Sequence, residues 1–493
     1  FRFMSHNSAS DALGLQSATD LLAMLASRTV SSVEILEHFV ERNALLGDQI
    51  NAIVTLDLDR AVELARASDQ RRADNQPVEI LEGLPMTIKD AIAVEGVRST
   101  GGAVELADHV PTEDAEAVAK IKRAGGIIFG KTNLPRWSGD IQAFNDIFGT
   151  TNNPWNLDCG PGGSSGGASA AVASGLTPWE VGTDIGGSVR LPAHFAGVCG
   201  HKPSYGIVPQ LGYIDHVSYG LTDADINVFG PLAKTVDDLE LLFDVVSGAR
   251  RDTADGWRLD LPSARGLPKD LRVASWLDDP DCPVSEAVST VLDAAVEAVE
   301  TDGVPVNRSA RPGIAFSDVR TVGQPLISAA TSPGRTEEEL AALQEVVNDS
   351  SADEWLRMRA ASSTMSHRDW LLLTETRDRN RRLWSDFFND FDVLLAPVAF
   401  VGAFEHQHEG TLYTRTLEVD GQTRPYSDLI VWTSQFGYVY LPSTVVPVGW
   451  TDDGLPVGIQ VVGPYLGDRT TLEFARYLER LLGGYQVPPI ANI

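Results

Sequence analysis

Two glycine-flanked serine clusters lie between Cys159 and Arg190, in the stretch CGPGGSSGGASAAVASGLTPWEVGTDIGGSVR. The first is Gly162-Gly163-Ser164-Ser165-Gly166-Gly167 and the second Gly182-Thr183-Asp184-Ile185-Gly186-Gly187-Ser188, joined by a small-residue run of helical character. Glycine loses more conformational freedom on ordering than any other residue, so it is placed where φ must be positive or where another group approaches the backbone. Two such places in so short a span mark a site.

The rest of the chain reads as alternating helix and strand. Ser31-Ser32-Val33-Glu34 matches a capping box, in which serine and glutamate satisfy each other's free amides, and it opens an amphipathic run through Arg42. Another helix covers 59–73. From Leu84 the period changes to two: Leu84, Met86 and Ile88 face one way and Thr87 and Lys89 the other, so a strand ends in a lysine. Helices over 113–124, 165–174, 235–246, 285–300, 367–389 and 468–482 then alternate with strands over 127–129, 271–275, 393–396, 443–448 and 457–462. This pattern predicts an α/β fold: a single large α/β/α domain over 4–493, with a central twisted, mixed, mostly parallel sheet covered by helices on both faces. N-terminal helices take 11–80, the core 81–250, a capping region 251–440, and returning strands and a helix 441–493. Within the cap, 309–351 and 402–426 read as irregular.

Composition narrows the function. A hydrophobic content of 43% supplies a large core, while a formal net charge of −29 excludes a phosphate-tracking basic surface, and with it nucleic acid or an anionic membrane as partner. Cys159, Cys199 and Cys282 are scattered and odd in number, so neither a disulfide framework nor a zinc site is indicated, and a cytoplasmic location is expected. The longest early apolar run, Leu21 to Ala26 between Asp20 and Arg28, is too short for a signal segment or a membrane span. Met4 reads as the native start, with Phe1-Arg2-Phe3 as added residues.

Three motif matches fail on context. Gly125-Gly126-Ile127-Ile128-Phe129-Gly130-Lys131-Thr132 fits a phosphate-binding loop, but a helix precedes it and a sheet would consume the amides of its Ile-Ile-Phe centre. Gly162-Gly163-Ser164-Ser165-Gly166 fits a nucleophile elbow, yet the preceding NNPWNLDCGP cannot be the strand such an elbow tops. His406 and His408 lack the spacing of a zinc helix and read as a loop, and none of the nine histidines is singled out as a general base.

Amide hydrolysis needs a nucleophile, a base, oxyanion donors and a proton route to the leaving nitrogen. The backbone N–H groups of Ile185, Gly186, Gly187 and Ser188 fit a nest aimed at one oxygen. The same residues also fit a plain tight turn between a strand and a helix. With no histidine singled out, the base falls to a lysine that burial keeps neutral, and Lys89 ends an apolar strand. A lysine in such a place is more often a solvated surface residue; the serine clusters change that weighting.

Gly83-Leu84-Pro85-Met86-Thr87-Ile88-Lys89-Asp90 and the two serine clusters, through Val189-Arg190, together resemble the signature of the amidase signature enzymes. Lys89, Ser164 and Ser188 are spaced as in the fatty acid amide hydrolase branch. Further resemblance lies in Gly130-Lys131-Thr132-Asn133, Asn153-Pro154-Trp155-Asn156, Gly200-His201-Lys202-Pro203-Ser204-Tyr205-Gly206, Gly230-Pro231-Leu232-Ala233 and Gly454-Leu455-Pro456-Val457-Gly458-Ile459-Gln460, and it runs from about residue 11 to the end. It implies Ser188 as nucleophile, Ser164 as a middle serine on a cis peptide and Lys89 as base. It also implies structural roles for Asp184 and Arg190, network roles for Ser165 and Thr183, and substrate contact through the backbone of Ser138 and Gly139. No metal or organic cofactor is implied.

Within that family the expected activity is a stand-alone serine hydrolase of small aryl or alkyl amides or carbamates. Trp137, Ile141, Gln142, Phe144, Tyr205, Tyr213 and the 432–436 segment are expected to wall the pocket, Gln142 as a substrate-binding side chain. One alternative is an amidotransferase subunit that makes glutaminyl-tRNA. The Ile207-Val208-Pro209-Gln210-Leu211-Gly212-Tyr213 stretch departs from that branch, and the acidic charge suits an RNA-handling partner badly. The other alternative is a non-catalytic binding protein, against which the presence of all three of Lys89, Ser164 and Ser188 argues. Monomer and homodimer both stay open.

Overall fold

A computed structural model describes residues 13–215, 220–351 and 354–492. The reading of Met4 as the native start lies outside the described residues.

Strands β1 (Ile53–Leu56), β2 (Pro85–Lys89) and β3 (Ile127–Thr132) form a small sheet in the order β1-β3-β2. β3 is the segment that mimics a phosphate loop; it is buried throughout and paired on both sides, antiparallel to β1 and parallel to β2. A short ribbon, β4 (Phe144–Asn145) with β5 (Gly149–Thr150), follows. The central sheet then takes β6 (Trp179–Asp184), β7 (Cys199–Lys202), β8 (Val228–Ala233), β9 (Val273–Ser275), β10 (Val306–Asn307) and β11 (Val393–Pro397). After a hairpin of β12 (Thr416–Val419) and β13 (Gln422–Pro425) it is completed by β14 (Ser443–Trp450) and β15 (Pro456–Val462), in the order β10-β9-β11-β15-β14-β7-β8-β6.

The fold class is α/β with a mixed sheet, as expected, but the balance of strand directions is corrected. β10-β9 and β9-β11 are parallel, and the other five pairings are antiparallel. The physical reason is insertion. β8 lies between β6 and β7 and runs against both, so two strands joined through a helix never become neighbours. β14 and β15 are joined by a tight Thr451–Leu455 turn and must pair antiparallel.

Both faces of the sheet are covered. Val393 and Leu395 of β11 and Val446 and Val448 of β14 join one apolar cluster, with Leu242, Leu292 and Phe474 of the helices Val236–Val246, Glu286–Thr301 and Asp468–Leu482. Leu394, Ala396 and Val445 point the other way, toward Val172 and Leu191 of the helices Gly166–Ala173 and Arg190–Ala196. Strand side chains alternate faces, so burying both requires near-continuous apolar strands, which these are. The capping box forms as read: Ser31 and Glu34 bond reciprocally at the start of the helix Ser32–Ile50.

The cap is more regular than its sequence suggests. Residues 309–351 carry the helices Gln324–Ala330 and Glu337–Asn348, the second opened by a Thr336/Glu339 capping box. Pro325, Pro333 and Gly334 punctuate the segment and hide its short helices from a periodicity reading. In 402–426 the β12–β13 hairpin turns at Asp420-Gly421, both at positive φ.

Candidate active site

Lys89 ends β2, fully buried. Its Nζ donates to Ser164 Oγ at 2.6 Å and to Thr183 Oγ1 at 2.7 Å. Loss of hydration lowers its pKa to about 7, with Asp184 and Glu180 pulling weakly the other way. The free amine is therefore within reach near neutrality.

Ser164 precedes the helix Gly166–Ala173 and follows a cis Gly163–Ser164 peptide bond. A side chain at Gly163 would meet the backbone carbon of Ile141 at 2.5 Å and Gln142 N at 2.7 Å, so only glycine lets the two segments close up. Ser165 splices the serine clusters together. Its N–H donates to Ser188 O at 3.2 Å, and its Oγ bonds both Thr183 O and Thr183 N at 3.3 Å. Among the described residues no hydrogen bond joins Ser164 Oγ to Ser188 Oγ; the backbone link through Ser165 sets their proximity.

The loop 185–189 is tied down by Asp184. Its Oδ1 accepts from Gly187 N at 2.9 Å and its Oδ2 from Val189 N at 3.2 Å, while Arg190 grips both oxygens at 2.9 and 3.0 Å. Burial alone would raise the carboxyl pKa, but the Arg190 charge and hydrogen bonds, helped by Lys202, hold it below the ordinary value. Arg190 in turn donates to Thr433 O at 2.7 Å, and Thr433 Oγ1 donates to Gly186 O at 2.6 Å. Thr433 is not legible in the sequence, because its contact with the loop spans 247 residues.

The expected four-donor nest is corrected here. Gly187 N–H is committed to Asp184, so its place among the oxyanion donors is lost. Ile185, Gly186 and Ser188 find no protein acceptor for their N–H groups among the described residues. Ser188 is half-buried and, with Ile185 and Gly186, lines a cavity of about 670 Å³.

Trp137, Ser138, Gly139, Ile141, Phe144 and Tyr213 line that cavity. Gln142 does not, and its substrate role is withdrawn: its amide is consumed by Gln407 O at 2.7 Å, Gln407 N at 2.9 Å and Tyr426 Oη at 3.1 Å. Tyr205 stacks on Tyr440 at 4.3 Å, and Trp432 and Phe436 are buried in the core, so none of these is a wall. Ile430 takes that part of the lining. Sequence reasoning also misses a clamp over the cavity, in which Asp140 bonds Arg415 Nη1 at 2.7 Å and Tyr426 Oη at 2.9 Å.

No described histidine is hydrogen-bonded to Ser164 or Ser188; of the nine, His6 and His216 lie outside the described residues. His408 stacks on Phe144 at 4.3 Å, beside His406. Among the described residues no cluster of three or more His, Cys, Asp or Glu is placed to hold a metal, and no helix is long and apolar enough to cross a membrane.

Residues 34–472 match the Amidase family. The indoleacetamide hydrolase of Bradyrhizobium diazoefficiens is 31% identical over 469 residues, covering 95% of this chain and 86% of that one. A glutamyl-tRNA(Gln) amidotransferase subunit from Roseiflexus castenholzii is 30% identical, covering 93% and 94%. Among solved structures, a bacterial aryl acylamidase of the amidase signature enzymes superposes with a TM-score of 0.80 at 26% identity, covering 97% of this chain and 98% of the other. The fold and these relatives define an amide-cleaving hydrolase. The chain belongs to the Amidase family, and it is an amidohydrolase.

Proposed function

We propose that this amidohydrolase cleaves small aryl or alkyl amides, with carbamates as further substrates, by a Lys89–Ser164–Ser188 relay and an acyl-enzyme. The observation that carries the reading is the 2.6 Å contact between Lys89 and Ser164 in a buried setting that lowers the lysine's pKa to about 7. A rotation of the Ser188 side chain brings its hydroxyl onto Ser164 when substrate docks, since catalytic hydrogen bonds often tighten only in the complex. Neutral Lys89 then takes the Ser164 proton as Ser164 takes that of Ser188. Ser188 Oγ bonds to the carbonyl carbon, and the oxyanion lies against the free N–H groups of Ile185, Gly186 and Ser188. The relay returns the proton to the leaving nitrogen, the C–N bond breaks, and water hydrolyses the ester by the same route. Thr183 holds the amine on target by accepting its second hydrogen bond.

A panel of 4-nitroanilides and aryl carbamates tests the reading. Wild type is expected to release nitroaniline with a fast first turnover of one equivalent, and Ser188→Ala to release none above background. Wild-type silence across the panel would contradict it. The amidotransferase role is the second reading, favoured by the relative at 30% identity. It requires glutaminase activity in place of anilide turnover.

A further inference from the structure

One wall of the cavity is a single face of the helix Gln324–Ala330 and the turn after it: Gln324, Ile327, Ser328, Thr331, Gly334 and Arg335 all line the space. That face carries an unmatched polar group at each end. Gln324 is 7% exposed, and neither its Oε1 nor its Nε2 has a hydrogen-bond partner. Arg335 Nε is buried without a partner, and among the described residues no carboxylate stands within ion-pairing distance of its guanidinium. The other charges around the cavity are differently placed. Arg415 is paired with Asp140 and Arg136 with Glu105, with Glu339 at 3.9 Å; Asp215 is engaged, and Asp146 is exposed to water. Burial lowers the pKa of the Arg359 guanidinium; contact with Tyr413 opposes this, and the Arg335 charge adds a smaller push downward, so Arg359, itself engaged, lies in the field of Arg335. A buried donor without a partner costs free energy that a bound acceptor restores.

Resting on the hydrolase reading above, we infer that the part of the substrate filling this cavity carries a carboxylate, which Arg335 binds, with the Gln324 amide available to a second polar group. A planar guanidinium on a cavity wall matches a carboxylate through two parallel N–H donors. In a chain of net charge −29, an arginine half-buried on a cavity wall, with no carboxylate partner among the described residues, selects against the general field for an anion it can reach at close range.

Matched substrates test this on both sides of the scissile bond. The acyl-side pairs set butyryl, pentanoyl and hexanoyl 4-nitroanilides against the succinic, glutaric and adipic mono-4-nitroanilides. The amine-side pair sets N-butyryl-aniline against N-butyryl-4-aminobenzoate. In at least one pair wild type is expected to prefer the acidic member in kcat/KM by about tenfold, the ratio that one charge-assisted hydrogen bond supports. Arg335→Gln should bring that ratio close to one and Arg335→Lys should restore part of it, with fluorophosphonate labelling of Ser188 certifying that each variant is folded. Equal or lower turnover of the acidic member in every pair, or an acidic preference that survives Arg335→Gln, overturns the inference. Turnover of none of these anilides, with aryl carbamates still cleaved and Ser188 still labelled, overturns the inference and spares the hydrolase reading; loss of turnover and labelling together overturns both.

Discussion

Lys89 Nζ and Ser164 Oγ meet at 2.6 Å across 75 residues of sequence, at a point where neither side chain touches water. The contact gives the lysine a partner that accepts a hydrogen bond without supplying a full negative charge, so burial governs its protonation. A carboxylate in the place of Ser164 would hold the amine charged and useless as a base.

The pH profile follows from this. The folded pKa of Lys89 is lowered from 10.5 to about 7, so the protonated form, inactive under the proposed relay, dominates below 7 and the free amine above it. We expect kcat/KM to rise with pH through a single ionisation near 7 and then level off. The unfolded chain keeps the proton up to 10.5, so the same group adds stability as pH rises from 7 to 10.5. A rate that falls as pH rises through 7 would contradict the assignment.

Asp184→Asn should strip the countercharge from a fully buried Arg190 and free the loop amides it holds. Breaking a buried pair on one side costs about 3–5 kcal/mol. Urea denaturation of the variant and wild type checks this, and a difference below about 1 kcal/mol would mean that the pair is solvated in solution.

Gly187→Ala probes the turn itself. Gly187 sits at φ +125°, and an added Cβ would lie 2.5 Å from Thr433 Oγ1 and 2.9 Å from Leu191 Cδ1. Displacement of the loop should slow fluorophosphonate labelling by roughly a hundredfold, the scale of a 1 Å misplacement of a reacting group. Labelling at the wild-type rate would show that the loop does not set the nucleophile's position.

Arg415→Ala releases the clamp between Asp140 and the 402–426 segment without touching the serine relay. KM is expected to rise while kcat stays within about threefold, the signature of lost uniform binding. Steady-state kinetics on a good anilide separates the two.

Much of the geometry of this candidate site is legible because its residues sit in short, locally ordered stretches. Lys89 stands out as the end of an apolar period-two strand, and the glycines beside Ser164 and Ser188 announce close backbone approach. What escapes depends on contacts distant in sequence. Gly187 N–H is taken by Asp184, and nothing in the string GTDIGGS says which of its amides stay free. Gln142 reads as a pocket residue from its place near Ser138, yet its amide is satisfied by a segment 265 residues away. The strand directions fail for a related reason: alternation of helix and strand reports order along the chain, whereas β8 inserts between β6 and β7 in space. Within the central sheet, the short Thr451–Leu455 turn carries a local signal for antiparallel pairing.

The relay is tested most directly by following a fluorophosphonate probe into the protein and mapping the modified residue by peptide mass spectrometry. Wild type should carry one adduct, on Ser188, formed at a rate that climbs through pH 7. Lys89→Ala should remain folded by circular dichroism and label more slowly by about a hundredfold or more, the usual worth of a general base. An adduct on another residue, or wild-type labelling in Lys89→Ala, would contradict the account.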